Sequence, residues 1–278
     1  MGGGADRGTR LIRAPLSTTS VLDEAADVVA LTATPWAALL IITELPYRFL
    51  QVVFIDQLIN LGGEAMHYGA ALQSIANLVV VAFVVAVCGR AVYARTCQLA
   101  SQSGAKPGSD ALRLSMPALL SFLVTSSVTE LLFYATLVTI VAIPVIAVVR
   151  GLATGTYELN DAPGVIGPFR LIGRYGRELR VTSAIVLVFA VATLVAFANV
   201  AGSFAIGVWL AGAAGARVAR WSQLFTFANR RFVLMTIAGA LIAVQPFWIA
   251  ANVMLVTKAG VEETGEDLRA WFRGLRNA

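Results

Sequence analysis

Charged residues are scarce in this chain. Of its 278 residues only 13% are Asp, Glu, Lys or Arg, whereas 58% are hydrophobic and the mean hydropathy is +0.77. A soluble globular domain is nearer about a quarter charged, because polar side chains must cover its surface. The composition therefore excludes a soluble domain, a disordered chain and a collagen-like chain, and it indicates an integral membrane protein.

Cysteine and histidine are almost absent, with two cysteines and one histidine in the whole chain. Cys88 and Cys97 have no second pair and no neighbouring histidine, which excludes a disulfide framework and a zinc-site spacing. His67 alone cannot supply the clustered ligands of an intramembrane metalloprotease, and its loop position does not suit a Ser–His protease. Glycine-rich phosphate loops are also missing. We therefore expect no enzyme activity, no metal and no cofactor.

Lysine is largely replaced by arginine. The 21 basic residues include only Lys106 and Lys258, and the net charge is +5. The arginines flank apolar runs instead of covering a solvated domain, which argues against nucleic-acid binding. Basic residues are absent between the first two apolar runs and frequent after the second, so the positive-inside rule predicts a cytoplasmic N-terminus. The arginine bias, with abundant Ala, Gly and Val, suggests a GC-rich bacterium, and we expect the protein in the bacterial inner membrane.

Long apolar runs make up most of the chain. Four of them can each cross roughly 30 Å of hydrocarbon, namely residues 34–54, 72–94, 181–200 and 232–256. The stretch 112–156 would be about 65 Å long as one helix. It is predicted to form a hairpin, with a second helix starting at the Ser127-to-Glu130 capping box. A re-entrant first arm is the alternative, because that arm is short and contains Pro117.

The span count depends on residues 202–216. If this apolar piece crosses the membrane, the arginines that follow it are cytoplasmic but the C-terminal tail is outside. If it does not cross, those arginines are outside: Arg217, Arg220, Arg230 and Arg231. The polar C-terminal tail resembles a cytoplasmic segment, which favours the arrangement in which residues 202–216 do not cross. The sequence therefore predicts an all-α membrane bundle of six spans, with seven as the alternative.

Amphipathic segments flank the spans and are expected to lie at the membrane interface. After a mobile tail at residues 1–16, Ser20 is predicted to cap a short helix with Asp23 and Glu24 in its first turn. Residues 17–256 form a single transmembrane domain in this interpretation. In the loop 158–180, three arginines occupy one helix face and suit an anionic inner leaflet: Arg170, Arg174 and Arg177.

The C-terminal residues 257–278 are predicted to form a cytoplasmic amphipathic helix. Thr264 can cap it, and an apolar stripe containing Trp271 and Phe272 repeats at helical spacing. Such a stripe requires a membrane surface or a partner groove. We expect membrane lipids as partners, together with other membrane-protein subunits.

Short motifs follow one another along the chain in a familiar order. They are residues 20–25 (Ser-Val-Leu-Asp-Glu-Ala), Leu45-Pro46, residues 140–144 (Ile-Val-Ala-Ile-Pro), residues 148–150 (Val-Val-Arg), an arginine-rich loop and Asp267-Leu268-Arg269. This order resembles that of bacterial membrane proteins related to the glycerophosphoryl diester phosphodiesterase membrane domain. The resemblance implies a six-helix bundle without a catalytic phosphodiesterase barrel.

A few charges fall inside the apolar runs, where they are functional candidates. Glu44 and Arg48 are four residues apart in the first span and can neutralise each other, and Gln51 continues the same face. Glu130 is expected near the outer end of the fourth span, where it caps its own helix or pairs with Arg48. We hypothesise that Glu44, Arg48 and Glu130 form one cluster.

Two functions fit these features. The first is a non-enzymatic scaffold or accessory subunit of an envelope or lipid-related membrane complex, with Glu44 and Arg48 as a structural pair. The alternative is a small transporter or channel for a lipid or polar solute, built around Glu44, Arg48 and Gln51. No internal repeat of the kind common in transporters is visible.

Overall fold

The computed structural model describes residues 17–61, 69–136 and 179–264. Several predictions lie outside this range. They concern the N-terminal tail, the second arm of the hairpin, the interfacial loop with Arg170, Arg174 and Arg177, and the tail residues Trp271 and Phe272.

Every regular element among the described residues is helical. The main helices are α1 (Thr18–Thr32), α2 (Ala38–Leu61), α3 (Gly69–Ser103), α4 (Met116–Thr136), α5 (Leu179–Ala213), α6 (Ala219–Leu224) and α7 (Arg230–Thr264). Within this part of the chain, four segments are long and apolar enough to cross a membrane: Thr18–Asn60, Gly69–Ser103, Val181–Ala213 and Arg230–Ala259. The described residues therefore form an all-helical structure, and its long apolar helices are typical of a membrane protein.

Helix α1 begins earlier than the sequence predicts. Ser17 is its N-cap, and the Ser20 backbone N–H donates to Ser17 Oγ at 3.2 Å. The Ser17 N–H donates in turn to Ser20 Oγ at 3.3 Å. The assignment of Ser20 as the cap was wrong, because a reciprocal capping box satisfies two backbone donors where a single cap satisfies one.

A break separates α1 from α2. Thr34 adopts extended dihedral angles (φ −140°, ψ 128°) between two helical segments. Pro35 follows it, and a proline ring disfavours the helical conformation of the preceding residue. The chain can therefore change direction between the first helix and the first span.

Helix α4 passes without a break through the predicted helix start at Ser127. The Ser127 hydroxyl donates to the Leu123 carbonyl at 2.8 Å, and the Thr129 hydroxyl donates to the Thr125 carbonyl at 2.9 Å. Because both hydroxyls bind the preceding turn of their own helix, neither caps a new one. The prediction of a helix start at Ser127 was wrong, and Pro117 lies in the first turn of α4, where its missing N–H costs little.

Residues 202–213 continue α5 and do not form a separate helix. The helix ends beyond them at Gly215, whose positive φ of 83° allows the Gly215 N–H to reach the Gly212 carbonyl and the Ala216 N–H to reach the Ala211 carbonyl. This pairing is a Schellman motif, which glycine favours because it lacks a Cβ. The additional crossing that seven spans would need here is therefore absent from the described part of the chain.

The described residues divide between two compact units. The first unit contains α1, the second half of α3, α4 and the end of α7. The second contains most of α2, the first half of α3, most of α5 and the start of α7. The assignment of residues 17–256 to a single domain stays a prediction.

The core of the first unit lies around the second halves of α3 and α7. Burial there continues along consecutive residues, so both helices are covered on all faces. The α3 core includes Ala91, Tyr93 and Ala94, and the α7 core includes Ile249, Ala250 and Ala251. Alanine allows neighbouring helices to approach closely, as small residues do in membrane bundles.

Apolar side chains remain exposed on the outer faces of several helices. Ile42, Leu131 and Trp209 are each 69% exposed. Such surfaces are costly in water, whereas they are compatible with contact to the lipid tails of a bilayer.

We predict that Ala91→Leu destabilises the protein. Ala91 is fully buried in α3, and overpacking a close helix contact costs about 1–3 kcal/mol. Thermal unfolding in detergent should show a lowered melting temperature. Ala71→Leu, at an exposed position of the same helix, is the control and should leave it unchanged; equal melting temperatures for the two variants would contradict the close packing.

Candidate functional site

The polar stripe of α2 is assembled within one helix. Arg48 Nε lies 3.6 Å from Glu44 Oε2, and Arg48 Nη1 donates to Gln51 Oε1 at 3.0 Å. Gln51 Nε2 donates to the Tyr47 hydroxyl at 3.3 Å. The three side chains singled out in the sequence therefore contact one another, as their helical spacing predicts.

Burial decides what this stripe can do. Glu44 is 1% exposed and Arg48 6% exposed, and the Arg48 guanidinium lies 5.2 Å from the centre of the Tyr47 ring. Tyr47 packs in turn against Ala82, Ala86 and Phe83 of α3. The guanidinium charge is thus shared between a carboxylate, an amide and an aromatic face, in surroundings that water does not reach.

Glu130 is also buried, at 6% exposure, in the second half of α4. It does not cap its own helix, because α4 begins well before it. Glu130 belongs to the first unit, whereas Glu44 and Arg48 belong to the second. The clustering of these three residues stays a prediction.

The sequence interpretation missed an ion pair between α1 and α7. Lys258 Nζ lies 2.6 Å from Glu24 Oε1 and donates to Ser20 Oγ at 3.0 Å. The Lys258 and Glu24 side chains are only 7% and 11% exposed. The sequence predicts Glu24 to be a first-turn acid and Lys258 to belong to the C-terminal helix 257–278, whereas α7 continues through Lys258 to Thr264.

A signal for this pair was present in the sequence. Glu24 is three residues after Val21 and four before Val28, so it lies on the apolar face of α1 that the structure buries. An acid on a buried face requires a cation nearby. The sequence does not identify the partner of Glu24, because Lys258 is remote from it in the chain.

A second contact holds the other end of α1. The Thr32 hydroxyl donates to the Val28 carbonyl at 2.9 Å and lies 3.1 Å from the Tyr93 hydroxyl of α3. Since the single Thr32 proton is used within α1, Tyr93 is the donor in the contact between helices. Helix α1 is therefore attached by polar contacts at both ends, to α7 and to α3.

In the second unit, Asp56 joins the end of α2 to the start of α7. Its Oδ1 accepts from Arg230 Nη2 at 2.7 Å, and its Oδ2 accepts from Arg231 Nε at 2.7 Å. Asn60 extends the network, because it donates to Asp56 at 3.2 Å and accepts from Arg230 at 2.6 Å. Asp56 is 3% exposed, whereas both arginine side chains reach solvent.

The chemistry available at these polar groups is ion pairing. Across residues 17–61, 69–136 and 179–264, no three His, Cys, Asp or Glu side chains come together as a metal site would require. Cys88 and Cys97 are free thiols, and Cys97 is buried.

Comparison with protein-family models, with curated proteins and with solved structures finds no match for this chain. The relationship to the membrane domain of glycerophosphoryl diester phosphodiesterases stays a prediction based on the motif order.

We predict that Lys258→Met lowers the free energy of unfolding by about 3 kcal/mol or more, because it leaves the Glu24 carboxylate buried without its counter-charge. The Glu24→Gln/Lys258→Met double variant should lose less than the sum of the two single variants in a double-mutant cycle. Asp23→Asn removes an exposed acid from the same helix and should have no effect. Additive single losses would contradict the pairing.

A second prediction concerns Asp56. Asp56→Asn should lower the melting temperature, because the amide cannot neutralise Arg230 and Arg231. The difference from the wild type should shrink at high salt concentration, since both arginines are partly exposed and screened. The matched control is Asp110→Asn, which breaks an exposed pair with Arg113 and should change little. A salt-independent difference would contradict the electrostatic origin.

Proposed function

We propose that this protein is a non-enzymatic, multi-pass protein of the bacterial inner membrane that serves as a scaffold or accessory subunit of an envelope or lipid-related complex. The observation that carries the proposal is the burial of charges against partners in their own unit. Glu24 pairs with Lys258, and Glu44 pairs with Arg48. Charges arranged in this way are neutralised within the protein and do not need a ligand as counter-charge.

A transport site would need its charged residues in a different arrangement from that of Glu44 and Arg48. Residues that carry a solute exchange their partners for the solute or for water, so they line a wet cavity. Glu44 is 1% exposed and shares Arg48 with Gln51 and the Tyr47 ring. These features support a structural role for the stripe.

The topology in this proposal has six spans and a cytoplasmic N-terminus. The pairing of Asp56 with Arg230 and Arg231 requires the end of α2 and the start of α7 to lie on the same side of the membrane. Six spans satisfy this requirement with both ends outside. Seven spans would separate them, because Arg230 would then be cytoplasmic.

Exposed apolar surface supports the proposed partners. Side chains such as Leu131 and Trp209 are 69% exposed, and they offer contact area to lipid tails or to the helices of other subunits. In this proposal the arginines of the loop 158–180 bind anionic headgroups, and the C-terminal stripe with Trp271 and Phe272 binds the inner leaflet or a partner.

Extraction from native membranes into polymer nanodiscs tests the proposal. We expect the chain in a particle with at least one further, reproducible subunit. The Glu44→Gln/Arg48→Gln variant should retain that subunit if it folds, because the stripe is not the contact surface. A monodisperse particle that contains this chain alone would overturn the proposal.

Thiol labelling discriminates the transporter alternative. Gln51→Cys, in a background with Cys88→Ala and Cys97→Ala, should react slowly with a membrane-impermeant maleimide. Asn60→Cys, at an exposed position of the same helix, should react rapidly. Rapid labelling of residue 51 from both sides of the membrane would favour a transport pathway.

A further inference from the structure

An open groove lies in the second unit, between the last turns of α5 and the segment that follows the Schellman turn. Its volume is about 440 Å³. Phe204, Gly207 and Ala211 line it from α5, and Arg217, Trp221 and Phe225 line it from the returning segment. A volume of this size lies within the range of roughly 300–1,000 Å³ that is typical of small-molecule sites.

The shape of the groove follows from residue size and from aromatic packing. Gly207 and Ala211 are four residues apart on one face of α5, so this face carries almost no side chain. Phe204 stacks on Phe225 with ring centroids 4.8 Å apart, and Trp221 lies 5.8 Å from Phe225. The aromatic rings therefore form a wall opposite a floor of small residues.

Of the described side chains that line the groove, only that of Arg217 is charged. The Ser203 hydroxyl, which also lines it, donates to the Asn199 carbonyl at 2.7 Å and is already used. Arg217 is exposed, and within the part of the chain that the structure describes no carboxylate pairs with it. The two buried acids of this unit that the structure describes are already paired, Glu44 with Arg48 and Asp56 with Arg230 and Arg231.

Among the described side chains that line the groove, Arg217 is the one cation, and an apolar groove with a cation at its edge is complementary to an amphiphile with a negatively charged head. The groove is formed on α5, one of the helices that can span a membrane, and it is open. Ile206, Trp209 and Leu210 of the same helix are all more than half exposed, so the surroundings are apolar as well. A ligand from the bilayer can therefore enter it sideways.

We propose that this groove binds one anionic phospholipid, with an acyl chain against Gly207 and the headgroup phosphate on Arg217. A guanidinium binds phosphate oxygens through charge-assisted hydrogen bonds. The site is separate from the predicted headgroup contacts of the loop 158–180. It requires only that α5 lies in a membrane, so it does not depend on the scaffold function.

Filling the groove tests the acyl-chain contact. A Cβ added at Gly207 would meet no heavy atom within 4 Å, so Gly207→Leu extends into open space. Gly202 has the same freedom and lies on the opposite face of α5, so Gly202→Leu is the matched control. Native mass spectrometry of the full chain in detergent, titrated with phosphatidylglycerol, should show weaker binding by about tenfold or more for Gly207→Leu only.

Charge removal tests the headgroup contact. Wild-type protein should bind phosphatidylglycerol about tenfold more tightly than phosphatidylcholine, and Arg217→Gln should remove that preference. Arg113→Gln, an exposed arginine of the first unit, should keep it. Glycerol phosphate, which has the headgroup but no acyl chain, should fail to compete.

A fluorescence measurement keeps the proposal testable if Gly207→Leu does not fold. Phosphatidylglycerol brominated on its acyl chains should quench wild-type tryptophan emission with a saturable component at low lipid ratio. Trp221→Phe should remove that component, because Trp221 lines the groove.

Three results would overturn the proposal. The first is unchanged phosphatidylglycerol binding by a folded Gly207→Leu variant. The second is competition by glycerol phosphate alone, which would indicate a site for free phosphate. The third is a change in oligomeric state on filling the groove with no change in lipid binding, which would indicate a protein contact.

Discussion

A charged side chain that leaves water loses its hydration, and within an apolar bundle it recovers that free energy only from a counter-charge or from hydrogen bonds. This constraint accounts for the polar contacts of both units. Lys258 and Glu24 attach α1 to α7, and Asp56 attaches the end of α2 to the start of α7 through two arginines. Because removing one partner leaves the other uncompensated, each pair also specifies which helices become neighbours.

Small residues allow the same helices to pack closely against one another. The buried second halves of α3 and α7 are rich in alanine, and small residues allow neighbouring helices in a bundle to approach closely. At the end of α5 the small residues have another effect. No side chain of the described residues fills the space beside Gly207, and an open groove results.

The helical class and the positions of the apolar spans could be predicted, because both depend on composition and local periodicity. The contact between Glu44, Arg48 and Gln51 could also be predicted from the sequence, since residues three and four apart share a helix face. The capping boxes were harder to predict from the sequence. Ser127 and Glu130 have the pattern of a helix start, yet the hydroxyls of Ser127 and Thr129 donate to carbonyls of the preceding turn, and the helix continues through them.

Composition and periodicity alone predict a membrane environment, helices over the apolar runs and the places where Glu44, Arg48 and Glu130 interrupt those runs. These are local properties, which follow from side-chain polarity and from a period of about 3.6 residues. Which distant residues become partners depends on how the helices pack, as for Glu24 with Lys258 and for Asp56 with Arg230 and Arg231. Such pairs arise from helix neighbours that are remote in the chain, and no local pattern specifies them.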